Sequence, residues 1–496
     1  MSSENKSLKQ IISHRLEKLQ KIIDSGINPF PYKYIPSHKV GNIFDNQEVL
    51  LDSNVSIAGR IVSFRKMGKA SFIHIQDETG KLQVYAKNDI LPDGIYDNIV
   101  RNLDLGDILG VNGDLFITKM GELTIKTTEL EILSKNIRPL PNLKEKDGEA
   151  FNGFEDKELR YRYRHLDLIA NPEVMNVFKL RAKIISLLRS ELDMKDFIEV
   201  ETPILQSIYG GASARPFTTF HNTLDQKLYL RIADELYLKR LIIGGFTKVY
   251  EIGKNFRNEG MDRSHNPEFT ALEFYEAYAD VYDMMNLTES IIHNVAKGIS
   301  KTIINFSNYD IDISKPFIRK SMFSLLNEST GQNVDSMDAS ELFLLAKNNN
   351  IIVDKKMNYG QLLDAIFGAL VEPTLIKPTF VTDYPIQVSP LAKSSREGNS
   401  DIVERFELFI GGMEFANSFT ELNDPIEQRN RLEKQSKLRD LGDDEAQVVD
   451  EDFLQAMESG MPPTGGVGIG IDRLVMLFTE QNSIKDVILF PAMRPE

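Results

Sequence analysis

The chain has 496 residues, 42% hydrophobic and 26% charged, with a net charge of −15, which suits a soluble globular protein of about two to four domains. It contains no cysteine, so disulfides, thiolate metal sites and cysteine nucleophiles are excluded, in keeping with a reducing compartment. A pI near 5.2 argues against bulk electrostatic binding of nucleic acid. The polar start MSSENKSLKQ and the lack of any long apolar run point to a cytoplasmic protein with no membrane association.

Charge is unevenly spread. Residues 1–40 hold seven Lys and Arg against three Asp and Glu, so the N-terminal third is where a nucleic acid would meet the chain. Within it, Leu8, Ile11, Ile12, Leu16, Leu19, Ile22 and Ile23 recur at helical spacing, and Gly26 and Pro29 end the helix. Lys9, Arg15, Lys18 and Lys21 form its basic outer face, open to an RNA backbone or simply solvated. Together with the arm after it, the helix occupies residues 1–50. From residue 51 to 137 the pattern changes to short alternating strands, VSIAGRIVSFR, ASFIHIQD, KLQVYAK, DILGVNGDLFITK and ELTIKTTELEILS, separated by the turn signals MGK, ETG, NGD and KMGE. Five such strands predict a small β-barrel of the OB type. A Pro-rich, charged stretch at 138–150 reads as a linker. Residues 151–496 mix helices and strands without regular βαβα alternation. That predicts an α+β domain on a mostly antiparallel sheet. Neither GxxxxGK[ST] nor a strand-linked GxGxxG occurs.

In the α+β segment, TKVYEIGKNFR and EFTALEFYEAY read as two strands joined by the charged loop NEGMDRSHNP. On the second strand Phe269, Ala271, Glu273 and Tyr275 share a face, where a Glu between aromatics suits a pocket floor better than a solvated edge. ERFELFIGGMEFANSFTEL predicts another hairpin, with Gly411-Gly412 as a two-residue primed turn. Asn417, Phe419 and Glu421 share a face there. Glu407 and Glu414 suit a hard divalent cation, but strict alternation turns Glu414 away from Asn417, so one site requires a bulge near Ala416. Finally, TGGVGIGIDRLVMLF predicts an amphipathic helix opening at Asp472-Arg473. An Arg in a first turn opposes the helix dipole, which marks it as a ligand-binding candidate.

These stretches resemble the three signature motifs of the class II aminoacyl-tRNA synthetases. VFKLRAKIISLLRSELDMKDFIEVETPIL with Pro203 is similar to motif 1, VYEIGKNFRNEG…HNPEF to motif 2 and GVGIGIDRL to motif 3. GGASARPF, LYLRIADELYLKRL and FANSFTELNDP resemble hallmarks of the class II lysyl-tRNA synthetases, and MGKASFIHIQD their anticodon-binding OB domain. The likeness runs from about residue 10 to the terminal FPAMRP.

The resemblance implies activation of L-lysine by ATP and transfer to tRNA(Lys), by a homodimer using Mg²⁺. Arg257 would be the catalytic residue, contacting the α-phosphate and the lysine carboxylate, with Glu259, His265, Phe269 and Arg473 completing the ATP site. Glu407 and Glu414 would hold Mg²⁺. Gly211, Glu235, Glu273, Tyr275, Asn417, Phe419 and Glu421 would form the lysine pocket. Arg65, Phe72, Gln83 and Glu122 match positions that read the anticodon, and the alternation places Phe72 on the exposed face. Family members carry Arg or Thr just before the His of motif 2, where this chain has Ser264, with Arg263 one place earlier. The 300–375 segment reads as an insertion between motifs 2 and 3. Rival readings are an aspartyl- or asparaginyl-type enzyme, which the carboxylate-rich pocket opposes, a lysine-activating protein modifier, which would lack the OB domain, and a non-catalytic RNA-binding paralogue.

Overall fold

The computed structural model describes residues 7–141, 143–146, 149–152, 154–440 and 447–495. The chain divides into two compact units, Met1–Pro172 and Glu173–Glu496.

In the first unit the expected N-terminal helix spans Leu8–Asp24, opened by a reciprocal capping box between Ser7 and Gln10. Its basic face is only partly free. Arg15 is buried and donates to Asn136 O at 3.2 Å, while Lys18 pairs with Asp104 at 2.6 Å. These two cations dock the helix, leaving Lys9 and Lys21 to solvent. Five strands, β1 (Asn54–Met67), β2 (Ala70–Gln76), β3 (Lys81–Lys87), β4 (Ile108–Ile117) and β5 (Leu123–Ser134), close into a barrel in the order β1-β2-β3-β5-β4. Alternate residues such as Ile57, Ile61, Ile73, Ile75, Val84 and Val111 fill its interior. The NGD signal is not a turn. It lies inside β4, where the pairing with β5 slips between Asn112 and Gly113, so the same residues serve a bulge. The expected linker carries a small hairpin, β6 (Leu143–Lys146) paired with β7 (Glu149–Asn152). Its Asn142, Asp147 and Gly148 lie outside the described residues.

The second unit begins with the helix Val174–Asp193, whose Ile184, Leu188 and Leu192 enter the main core. β8 (Ile198–Glu199), β9 (Leu205–Gln206), β10 (Thr218–His221) and β11 (Gln226–Leu230) follow, then the helix Glu235–Ile243. The motif 2 hairpin is β12 (Lys248–Phe256) and β13 (Glu268–Ala277). After the helix Val281–Gly298, the expected insertion contains the hairpin β14 (Ile303–Phe306) and β15 (Tyr309–Asp312), β16 (Ile318–Ser321) and the helix Tyr359–Leu370. β17 (Thr379–Pro385), β18 (Ile402–Ile410), β19 (Met413–Thr420), β20 (Thr464–Gly470) and the helix Ile471–Thr479 complete the unit.

One sheet of eight strands organises this unit, in the order β16-β17-β18-β19-β20-β13-β12-β8. Only the β16–β17 and β12–β8 pairs are parallel, so the sheet is mostly antiparallel, as expected. One face packs Leu272, Phe274, Leu408, Val467 and Ile469 against the helices Val174–Asp193, Val281–Gly298 and Ile471–Thr479. The last of these is amphipathic as expected, burying Ile471, Leu474, Leu477 and Phe478 and also Asp472, with Arg473 as its main polar outlet. The opposite face of β13, β18, β19 and β20 carries the cavity described next.

Candidate active site

A cavity of about 630 Å³ lies over the centre of the sheet. Every residue expected for the ATP, lysine and metal sites lines it: Arg257, Glu259, His265, Phe269, Arg473, Gly211, Glu235, Glu273, Tyr275, Asn417, Phe419, Glu421, Glu407 and Glu414. The sheet explains how. β13 is a central strand, and its Phe269, Ala271, Glu273 and Tyr275 point to one side. β20 runs beside it with Gly466 and Gly468 opposite Tyr275 and Glu273, leaving room above a nearly bare strand. A Cβ at Gly466 would collide with Glu421 and the Tyr275 ring. Gly466→Ala should therefore cost about 1–3 kcal/mol of stability by overpacking, as read from chemical denaturation.

The bulge demanded by the chemistry is present. In the β18–β19 ladder Glu407 pairs with Asn417 and Leu408 with Ala416, but Phe409 pairs with Glu414. Phe415 and Ala416 both turn into the core, which returns Glu414 to the cavity face. Gly411 and Gly412 have φ of +60° and +76°, the primed turn the sequence predicts.

At one end of the cavity, Glu235, Glu273 and Glu421 are almost completely buried. The Tyr275 hydroxyl donates to Glu273 Oε2 at 3.1 Å. Burial pushes the Glu273 carboxyl well above the usual range, and the charges of Asp234 and Glu235 add to it. Lys239, which sequence reasoning missed, is wholly buried and lies 2.5 Å from both Glu235 Oε1 and Glu421 Oε2. Burial opposes its charge, but the two carboxylates outweigh this and raise its pKa. Its i+4 spacing from Glu235 was a usable signal; the bond to Glu421 was not readable from sequence.

At the other end, Arg257 lies over the Phe269 ring at 5.1 Å, and its buried Nε has no hydrogen-bond partner among the described residues. An unpartnered guanidinium N–H facing a cavity suits an anion. Arg473 donates to Glu414 O at 2.7 Å and meets His265 Nε2 at 3.2 Å. Asp262, another missed residue, orients that imidazole at 2.9 Å. Burial raises the Asp262 carboxyl, but hydrogen bonds from His265 and the backbone N–H groups of Ser264 and His265 win and hold it at about 2.

Between the two ends sits Arg405, also missed. It donates to Asn417 Oδ1 at 3.1 Å and Ser389 Oγ at 2.8 Å, pairs with Glu407, and lies between the Tyr384 and Phe419 rings. The Tyr384 hydroxyl donates to Glu407 Oε2 at 2.7 Å. From the insertion come Asp364 and Glu372, which line the cavity near Glu407 and Glu414. Burial, then Glu414 and Asp364, push Glu372 up to about 7. No three carboxylate or imidazole groups form a ready-made cation cage among the described residues. The crowded carboxylates nonetheless fit a divalent ion whose remaining ligands come from a phosphorylated substrate, as is usual for Mg²⁺.

In the barrel, Phe72 lies on the outer face of β2, opposite the core residues Ile73 and Ile75, and is half-buried. It contacts the Tyr85 ring at 4.9 Å. Arg65 pairs with Phe72, and His74 with Gln83, across adjoining strands. Gln83 already has partners within the barrel. It is buried, donating to Glu122 Oε2 at 2.5 Å and accepting from Thr124 at 2.9 Å. Glu122 also meets His74 Nε2 at 2.8 Å. His74 and Tyr85 thus join the four expected residues on one face.

Comparison with known proteins agrees. Residues 156–494 match a family model described as tRNA synthetases class II (D, K and N), and residues 55–133 match one described as an OB-fold nucleic acid binding domain. The chain belongs to these class II tRNA synthetases. Among its relatives, the lysine–tRNA ligase of Carboxydothermus hydrogenoformans is 51% identical over 494 residues, covering 99% of each chain. That of Pelotomaculum thermopropionicum is 50% identical over 499 residues, covering 100% of this chain and 97% of the relative. That of Shouchella clausii is 47% identical over 501 residues, covering 99% and 98%.

Proposed function

We propose that this chain activates L-lysine with ATP to lysyl-adenylate and pyrophosphate, then transfers the lysyl group to tRNA(Lys). The observation that carries this is the polarity of one cavity, with buried carboxylates at one end and guanidinium and imidazole groups at the other. A lysine ammonium needs paired, desolvated carboxylates; an aspartate substrate would need cations where Glu273 and Glu421 stand.

The lysine carboxylate is already a nucleophile, so the chain's task is to position two anions and to stabilise charge developing on phosphorus. Arg257 serves both partners. Phe269 and Arg473 hold the adenine, and Glu259 and His265 the remaining parts of ATP. Glu273, Glu421 and the Tyr275 hydroxyl take the ε-ammonium; Glu235, beside Gly211, takes the α-ammonium; and Asn417 and Phe419 wall the pocket. Glu407 and Glu414 would hold Mg²⁺, which would neutralise phosphate charge. Arg405 supports this arrangement by fixing Asn417 and Glu407 through direct bonds.

We assign residues 1–50 as an N-terminal helix and arm, 51–137 to anticodon binding, 138–150 as a linker, and 151–496 to catalysis with the 300–375 insertion. Arg65, Phe72, Gln83 and Glu122 meet the anticodon. Phe72→Ala should weaken tRNA binding by about 1–3 kcal/mol through lost base stacking, leaving tRNA-free pyrophosphate exchange unchanged. A loss of exchange in that variant would refute the assignment. Homodimer formation is supported by exposed Ile198 and Leu205 in motif 1 and Phe220 after it. A cytoplasmic location suits the cysteine-free chain; no helix among the described residues is long and apolar enough to cross a membrane.

ATP–pyrophosphate exchange with each of the twenty amino acids tests the whole reading. Exchange with lysine alone is expected. Exchange with aspartate or asparagine would overturn the pocket assignment, and none with any amino acid, with or without tRNA, would restore a non-catalytic role.

A further inference from the structure

The two side chains assigned to the adenine, Phe269 and Arg473, meet through one buried carboxylate. Strand β20 pairs with β13 only as far as Gly470 opposite Ala271, and there the chain turns into the helix Ile471–Thr479. Beyond that point β13 has no β20 partner, although Thr270 is buried. A buried backbone N–H needs an acceptor. Asp472 supplies it, its Oδ2 accepting from Thr270 N at 2.7 Å. An Asp in a first turn is ordinarily explained by the helix dipole, but both oxygens of Asp472 bond outside their own helix. Its Oδ1 accepts from Arg181 Nη1 at 2.6 Å.

Arg181 comes from the motif 1 helix Val174–Asp193 and does not line the cavity. Its Nη2 donates to Thr270 Oγ1 at 3.0 Å, and its Nη1 also reaches Val487 O at 3.2 Å. One guanidinium therefore ties the motif 1 helix to β13, to the motif 3 helix and to the C-terminal segment, a task for a planar fork rather than an ammonium. The side chains of Arg181 and Asp472 are 17% and 3% exposed, so losing either partner strands a largely buried charge. The place of this clamp gives it a use. Thr270 directly follows Phe269, and Asp472 directly precedes Arg473. Each adenine plate is thus one residue away from the Thr270–Asp472 bond.

We propose that Arg181 is a positioning residue for ATP: by holding Asp472 against Thr270 it sets the gap between Phe269 and Arg473 that receives the adenine. This rests on the reading of those two side chains as the adenine plates. Attraction between a ring and a guanidinium depends on their separation from the base between them, so a loosened clamp weakens the grip on the base. The lysine end is insulated. Glu273 lies three residues further along β13, opposite Gly468, where β20 already holds the strand.

Arg181→Met keeps the length of the side chain and removes the fork. Pyrophosphate exchange by the full chain, with ATP, lysine and pyrophosphate varied in turn, separates a positioning role from a structural one. The KM for ATP should rise about tenfold or more. The KM for lysine and that for pyrophosphate, which carries no base, should stay unchanged, whereas general loosening of the fold would move all three. Arg181→Lys can keep the pair with Asp472 but not the bond to Thr270 as well, and should give a smaller rise. Asp472→Asn keeps an oxygen for the Thr270 N–H but loses the ion pair, and should resemble Arg181→Met. If Arg181→Met does not fold, these two milder variants carry the test. An unchanged KM for ATP in the folded variants, or equal changes in all three constants, would overturn the proposal. Phe269→Ala separates the two levels. If it raises the KM for ATP while the Arg181 variants do not, the adenine reading stands and Arg181 has no such role. If it leaves the KM for ATP unchanged, the adenine reading itself falls, and this proposal with it.

Discussion

Replacing Arg257 with Lys is expected to slow lysine-dependent ATP–pyrophosphate exchange about 10²–10³-fold, a loss of about 3–4 kcal/mol at the transition state. Arg257 faces the cavity with an unpartnered Nε and lies 5.1 Å over the Phe269 ring. A guanidinium can present parallel N–H groups to two anions at once while stacking on a ring; an ammonium keeps the charge but neither the fork nor the plane. The effect should fall on kcat more than on either KM, because charge grows on the phosphoryl oxygens only as the reaction proceeds. Steady-state exchange with lysine and ATP varied separately makes the measurement. A loss smaller than about tenfold would move the bridging role to Arg473.

Glu273→Gln should lower kcat/KM for lysine by about 10²–10³-fold and leave the KM for ATP unaltered. The carboxyl is buried, accepts from the Tyr275 hydroxyl, and has no cation of its own. A Gln keeps the shape and the hydrogen bond from Tyr275, but leaves a buried ammonium short of one negative charge. Because Glu235 remains, the α-ammonium end should be undisturbed. Unchanged lysine kinetics would remove Glu273 from the pocket.

Much of this site was legible because a strand shows its faces every second residue. Phe269, Glu273 and Tyr275 could be placed together from β13 alone. Glu414 could be placed only by asking what its charge was for, since simple alternation pointed it the wrong way and the Phe415–Ala416 bulge corrects it. The roles of Lys239 and Arg405 were only partly legible, for a different reason. Their roles depend on partners distant in sequence, as with Lys239 and Glu421, and a charged residue in a helix reads as surface until its partner is known. The misread turn signal has a physical cause as well. Asn-Gly serves bulges as readily as turns, as at Asn112-Gly113.

The position of β20 bears on how the chain is made. This strand fills the gap between β13 and β19, yet it is synthesised after both. Until it emerges from the ribosome, the two hairpins each present an unpaired edge, the kind of surface that invites contact with other chains. With four glycines in seven residues, Thr464–Gly470 has little strand preference of its own and takes its form from the edges that receive it. Prematurely terminated chains that stop before Thr464 should therefore be prone to aggregate rather than merely inactive. For the nascent chain, closure of the sheet and completion of the substrate cavity are one late event.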